Sequence, residues 1–99
     1  MSLITQTKLA AHLVKQMTNL SGGGWDSATH HSFMFLNDLA ANSEISKNSL
    51  DEYSSDYIER VEAVQWINKD SEREALVFAE KLTEYKNNPT EDNAQNILH

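Results

Sequence analysis

The apolar residues of this chain recur at steps of three and four, and this spacing constrains the fold more than any other feature. In the first stretch seven apolar residues fall within roughly 140° of a helix surface at 100° per residue: Leu3, Leu9, Ala10, Leu13, Val14, Met17 and Leu20. No segment alternates apolar and polar residues as a half-buried strand does, and β-branched residues are thinly spread. The sequence therefore predicts an all-α protein.

Capping residues and helix breakers divide the chain into four helices and a short fifth. The expected starts are caps at Ser2, at Asp26 or Ser27, at the capping boxes Ser49–Glu52 and Ser71–Glu74, and at Thr90. The expected ends lie near Leu20, Ala41, Ile67, Lys86 and Leu98. Short joints favour antiparallel neighbours. We therefore expect a small antiparallel helical bundle of four helices plus a short C-terminal helix, in one domain covering residues 1–99.

Apolar stripes on the later helices identify the rest of the expected core. The second helix contributes Ala28, His31, Phe35, Leu36 and Leu39. The third contributes Leu50, Tyr53, Tyr57, Val61 and Val64, flanked by Ile58 and Ile67, and the fourth contributes Ala75, Phe78, Ala79, Leu82 and Tyr85. A chain of 99 residues buries enough surface in such a core to fold without disulfides or metals.

Charge is divided unevenly along the chain. Residues 1–36 hold two lysines and one acid, a net charge of +1, whereas residues 37–99 hold six basic and fourteen acidic residues, a net charge of −8. Nucleic acids and anionic membranes are bound through clustered Lys and Arg, which this chain lacks. We therefore expect no direct nucleic-acid or membrane contact, and a protein partner with a basic surface instead.

The third helix places its acids opposite its apolar stripe, and Trp66 falls about 180° from Tyr57 if the helix stays regular. Like charges stand at i, i+4 in Glu80 and Glu84 of the fourth helix, where each such pair costs a few tenths of a kcal/mol. We predict a partner-binding surface made of Asp51, Glu52, Glu59, Glu62, Trp66, Glu80 and Glu84. Two alternatives stay open: the acids form only a solvated face, and Trp66 is buried against another helix.

Leu76 and Val77 point away from the apolar stripe of the fourth helix. Apolar residues on two sides of a helix indicate a central helix covered on both sides, or a binding surface. These two residues are therefore the candidates for self-association, and a homodimer would explain them.

Candidate metal, cofactor and catalytic sites are weak. His30 and His31 are adjacent, so their side chains diverge by about 100° on a helix, and no zinc-ligand motif is present. Cysteine is absent, which fits a reducing compartment. No serine lies in a nucleophile turn, and the acids are expected to be exposed. We expect no metal, no cofactor and no enzymatic activity.

These observations predict a small acidic protein of the cytoplasm, without a signal peptide or membrane span, that binds a protein partner stoichiometrically. Helical carboxylate rows can imitate DNA phosphates, and small acidic inhibitors from phages and mobile elements often work this way. The sharper hypothesis is thus an inhibitor of a nucleic-acid-binding protein. The alternative is a structural helical subunit that self-associates and whose acidic face serves only solubility.

Overall fold

The computed structural model describes residues 1–20, 24–64 and 68–99, apart from the side chains of residues 24 and 25. These residues form helices and no strands, so the all-α prediction is confirmed. The helices are α1 (Leu3–Thr18), α2 (Gly24–Asn42), α3 (Lys47–Ala63), α4 (Lys69–Asn87) and α5 (Glu91–Leu98). Four helices of 16 to 19 residues and a fifth of eight match the expected bundle.

Side-chain caps fix the ends of most helices, and two of the predicted caps are confirmed. The Ser2 hydroxyl accepts a hydrogen bond from the backbone N–H of Thr5 at 3.1 Å, and Thr90 accepts one from Asn93 at 3.2 Å. Both bonds satisfy a donor in the first turn that has no partner inside the helix.

The two predicted capping boxes are wrong by one helical turn. Helix α3 begins at Lys47 because Ser46, not Ser49, is its N-cap. Asp38 stabilises this cap by accepting hydrogen bonds from the backbone N–H and the hydroxyl of Ser46, both at 2.9 Å. Helix α4 begins at Lys69, where the Asn68 side chain accepts from Asp70, so Ser71 lies inside the first turn.

The other boundaries differ by smaller amounts. Helix α2 begins at Gly24 rather than after Asp26 or Ser27. Helix α3 ends at Ala63, and Val64 has an extended backbone with ψ of 136°, whereas we expected the helix to continue to Ile67.

Neighbouring helices pack antiparallel, and α5 closes them into a ring. The end of α2 lies beside the start of α3, because Asp38 contacts Ser46 while His31 contacts Asp56. The Tyr57 and Phe78 rings meet edge to face between α3 and α4. Helix α5 then packs on both α4 and α1. Its Glu91 accepts a hydrogen bond from the Thr5 hydroxyl at 3.2 Å.

The core lies inside this ring and contains most of the predicted stripe residues. The largest fully buried apolar side chains are Tyr53, Tyr57, Tyr85, Phe35, Leu9, Leu13, Met17 and Leu82. Two residues of the predicted stripes are on the surface instead, since Leu3 and Leu36 are more than half exposed, and Ile58, which flanks the α3 stripe, is also exposed. Leu36 lies 100° around α2 from the buried Phe35, at the edge of the side that packs against the core.

A buried glutamine joins three parts of the chain. The Gln6 amide donates to the Tyr85 hydroxyl at 3.0 Å, and its carbonyl oxygen accepts from the backbone N–H of Ile45 at 2.9 Å. Gln6 therefore links α1 to α4 and to the segment between α2 and α3. It also supplies the acceptor for the buried backbone N–H of Ile45.

Candidate acidic groove

The outer surfaces of α3 and α4 form an open groove of about 500 Å³. Tyr53 and Tyr57 of α3 turn inward, which leaves Ile58 on the outer side. The groove is lined by Ile58, Leu76, Ala79, Glu80, Thr83 and Glu84. Its floor is therefore largely apolar, while two of its lining side chains are carboxylates of α4.

Two of the predicted partner-binding acids line this groove, two more are exposed on α3, and none of the four has an ion-pair partner among the described residues. Glu80 and Glu84 line it, Glu62 lies one turn after Ile58 on α3, and Glu59 is exposed on the same helix. Within the described parts of the chain, none of these four has a basic side chain within 4 Å. Glu80 and Glu84 are a like-charge i, i+4 pair, so their charges oppose folding slightly.

The other two predicted acids of α3 are already paired. Asp51 contacts the Lys86 ammonium of α4 at 3.1 Å, and Glu52 contacts the His30 imidazole of α2 at 3.1 Å. Each pair links α3 to a neighbouring helix, although at this exposure such pairs stabilise a fold only modestly. The sequence could not show these contacts, because the partners lie more than twenty residues away along the chain.

Trp66, the predicted anchor, lies outside the described residues. Its expected position on the outer side of α3 assumed a regular helix through residue 66, and the extended backbone of Val64 removes that assumption.

The two candidates for self-association line different grooves. Leu76, which is 46% exposed, belongs to the acidic groove, whereas Val77, which is 41% exposed, lies beside Arg73, Lys81 and His12 on the other side of α4.

Sequence reasoning missed a buried polar cluster between α2 and α3. His31, which we expected on the apolar stripe of the second helix, is 1% exposed, and its Nε2 lies 2.9 Å from Asp56 Oδ2, a partner that the sequence did not indicate. Arg60, one turn further along α3, donates through its Nε to the other carboxylate oxygen at 3.1 Å. Burial alone would raise the pKa of Asp56, but hydrogen bonds from His31 and Ser27, with the charge of Arg60, lower it.

This cluster joins α2 to α3, and its imidazole is buried while the Asp56 and Arg60 side chains are partly exposed. His31 is packed edge to face against Tyr53, and its Nδ1 is buried with no hydrogen-bond partner among the described atoms. The adjacent His30 is exposed and contacts Glu52, so the two histidines diverge as expected and have separate partners.

Metal ligands do not converge in the described part of the structure, where no group of three or more His, Asp or Glu side chains could hold an ion. His12 and His99 come together in the grooves beside α1, away from His30 and His31. Burial, aided by the nearby charge of Lys15, lowers the pKa of His12.

Comparisons with known proteins do not assign this chain to a family: no family model, curated protein or solved structure matches it. Among the helices that the structure describes, none combines the length and the apolar character needed to cross a membrane.

Proposed function

We propose that this protein binds a protein partner stoichiometrically through the acidic groove between α3 and α4. The single observation that carries the proposal is the combination of an exposed apolar floor with carboxylates that have no ion-pair partner. Leu76 and Ile58 offer apolar contact area, while Glu80 and Glu84 offer negative charge in the same groove. A matching partner presents a basic segment with one or two apolar side chains.

The two kinds of side chain serve different steps of binding. Acidic groups attract a basic surface over several ångströms and so speed association. Desolvation of apolar side chains against the groove floor slows dissociation. Pairing Glu80 and Glu84 with a partner's cations also removes the repulsion between them, which is a gain that occurs only in the complex.

The finer form of the proposal is a cytoplasmic inhibitor from a phage or mobile element that blocks a nucleic-acid-binding protein. Carboxylates one helical turn apart lie about 6 Å apart along the helix axis, so several can occupy a basic groove that otherwise holds phosphates. The net charge of −8 on residues 37–99 supports this form. It accounts for binding without turnover and needs no cofactor.

The test is a pull-down from nuclease-treated lysate, washed at low and high salt, with bound proteins identified by mass spectrometry. Glu80→Lys with Glu84→Lys should abolish capture of a basic, nucleic-acid-binding protein that the wild type retains at low salt. The matched control is Glu44→Lys with Asp92→Lys, two exposed acids outside the groove, which changes net charge equally.

Equal loss of the partner in both double variants would show that net charge alone matters and would refute the groove as the site. Recovery of the bait alone at both salt concentrations would count against any such partner in that lysate. It would turn attention to the alternative of a self-associating structural subunit.

A further inference from the structure

The surface formed by α1 and α2 exposes large apolar side chains that the acidic groove does not involve. Phe33 is 64% exposed and Leu36 58% exposed on α2, while Ile4 is 69% exposed on α1. Each value exceeds that of any large apolar side chain described on α3 or α4. We call this surface, with the groove between the two helices, the α1–α2 face.

The groove of the α1–α2 face is shaped for side chains of another helix. It has a volume of about 420 Å³ and is lined by Thr7, Ala10, Ala11, Val14, Lys15, Thr18, Ser32, Phe35, Leu36 and Leu39. Several of the α1 side chains that line the groove are small, so the surface is recessed on that side, and Leu36 of α2 forms part of the opposite wall. Ridges of a second helix fit into grooves of this kind.

Two threonine hydroxyls in the groove are already satisfied by the helix that carries them. Thr7 donates to the Leu3 carbonyl at 2.8 Å, and Thr18 donates to the Lys15 carbonyl at 2.7 Å. Covering the groove therefore leaves neither donor without an acceptor, which removes the main cost of burying hydroxyl groups. These two hydroxyls therefore do not oppose an apolar contact, and Lys15 is the charged side chain among the lining residues.

The distribution of acidic residues allows a second copy of this chain as the occupant. Helix α1 contains Lys8 and Lys15 and no acid, and Lys15 lines the groove, while α2 contains Asp26 and an Asp38 carboxylate that is held by Ser46. Each chain has a net charge of −7, but residues 37–99 account for more than all of it. Two copies meeting through their α1–α2 faces keep these acidic residues outside the contact, and the face has too few charges to select a strongly charged partner.

The size of the face is sufficient for a dimer. Helices of 16 and 19 residues are about 24 and 28 Å long, and two side by side cover on the order of 500 Å² in flat projection. Protruding side chains raise the accessible area above that value. Two such faces together reach the lower range of specific protein interfaces, roughly 1,200 Å², so we expect a reversible, concentration-dependent dimer.

We propose that this protein forms a symmetric homodimer in which Phe33 and Leu36 of each copy pack into the α1–α2 groove of the other. The dimer uses a surface other than Leu76 and Val77, and it leaves both acidic grooves open. It does not depend on the proposed partner, because it involves none of the acids that line the acidic groove.

The test measures molar mass by sedimentation equilibrium from micromolar to millimolar concentration. Wild type should rise from the 11.2 kDa of one chain toward twice that mass. Leu36→Asp and Phe33→Asp should each weaken the dimer by on the order of tenfold or more, because a charge is then buried in the contact. Leu76→Asp is the matched control and should dimerise as wild type does.

Far-UV circular dichroism checks that each variant is folded. Two exposed positions are tested, so that the proposal can still be judged if one of the two variants does not fold. A wild type that stays at 11.2 kDa throughout would overturn the proposal and point to a different molecule on the face. Dissociation by Leu76→Asp, with folded Leu36→Asp and Phe33→Asp still dimeric, would also overturn it. Partner capture by a monomeric wild type would leave the proposed function standing alone.

Discussion

Replacing Gln6 with leucine should destabilise this fold more than any other conservative change on α1. The Gln6 amide is the described partner of the buried Ile45 N–H and also donates to the Tyr85 hydroxyl. The leucine side chain has a volume similar to that of glutamine but neither donates nor accepts a hydrogen bond. The expected loss therefore comes from hydrogen bonds rather than from an unfilled cavity.

The magnitude follows from the two groups left behind. A buried N–H without an acceptor costs about 1–3 kcal/mol, and loss of the bond to Tyr85 costs about 0.5–1.5 kcal/mol. We expect the free energy of unfolding to fall by about 2–4 kcal/mol, out of a total of roughly 5–15 kcal/mol for a domain of this size. The melting temperature should fall by about 8–30 °C.

Urea unfolding followed by far-UV circular dichroism measures this loss, and Gln16→Leu is the matched control. Gln16 is on the same helix but is only half-buried, and its described side-chain contact is at 3.5 Å to His12. The control should change stability by less than about 0.5 kcal/mol. Amide exchange at Ile45 should accelerate in Gln6→Leu alone. Equal unfolding free energies for the two variants would refute this account of Gln6.

Three further predictions concern single groups. Asn68→Ala removes the N-cap of α4 and should lower the free energy of unfolding, measured in urea, by about 1 kcal/mol. Ser71→Ala, inside the first turn, should lower it by less than about 0.5 kcal/mol, and equal losses would contradict the observed start of the helix. Ser43 has a φ of 60°, which glycine adopts more readily, so Ser43→Gly should raise the free energy of unfolding by about 0.5–1 kcal/mol. An unchanged melting temperature would argue against backbone strain at this residue. The lowered pKa of Asp56 stabilises the fold above the pKa of an unfolded aspartate, about 3.9, and this contribution disappears as pH falls through the folded-state pKa. The stability difference between wild type and Asp56→Asn should therefore shrink below that pH, and a constant difference from neutral to strongly acid pH would refute it.

Helix existence could be predicted because it depends on local spacing, and so could the caps at Ser2 and Thr90, whereas the start of α3 involves a contact outside the capping pattern. We expected the N-cap of α3 at Ser49, from its capping box, whereas the N-cap is Ser46. The choice is made by Asp38, eight residues before Ser46, which binds the hydroxyl and the backbone N–H of that serine. A pattern of four residues does not contain this information.

The orientation of α2 illustrates the same limit. Phe33, Phe35, Leu36 and Leu39 are all apolar, so periodicity alone permits several rotations about the helix axis. Packing selected the rotation that buries Phe35 and His31 and exposes Phe33 and Leu36. The cost of burying the polar His31 side chain is offset by its hydrogen bond with Asp56, which lies twenty-five residues away along the chain. The polar core residues were therefore the hardest to anticipate, since their partners are distant in sequence.

The candidate site was predicted in composition but not in shape. Sequence spacing identified Glu59, Glu62, Glu80 and Glu84 as exposed acids, and the described structure leaves all four without an ion-pair partner. The apolar floor between them was not anticipated, because Ile58 and Leu76 belong to different helices and become neighbours only on packing.

The uneven charge along the sequence becomes an uneven charge in space because sequential helices pack as neighbours. The nearly neutral α1 and α2 pack on one another, as do the acidic α3 and α4. Two copies of an acidic chain can therefore associate through one face while their acids lie on another. If both proposals hold, each dimer presents two acidic grooves, and a partner with two basic sites would bind it more tightly than the monomer. Leu36→Asp would then weaken capture of a bivalent partner and leave capture of a monovalent one unchanged, whereas Glu80→Lys with Glu84→Lys would abolish both and preserve the dimer. Any other pattern of losses would show that the two surfaces are not independent.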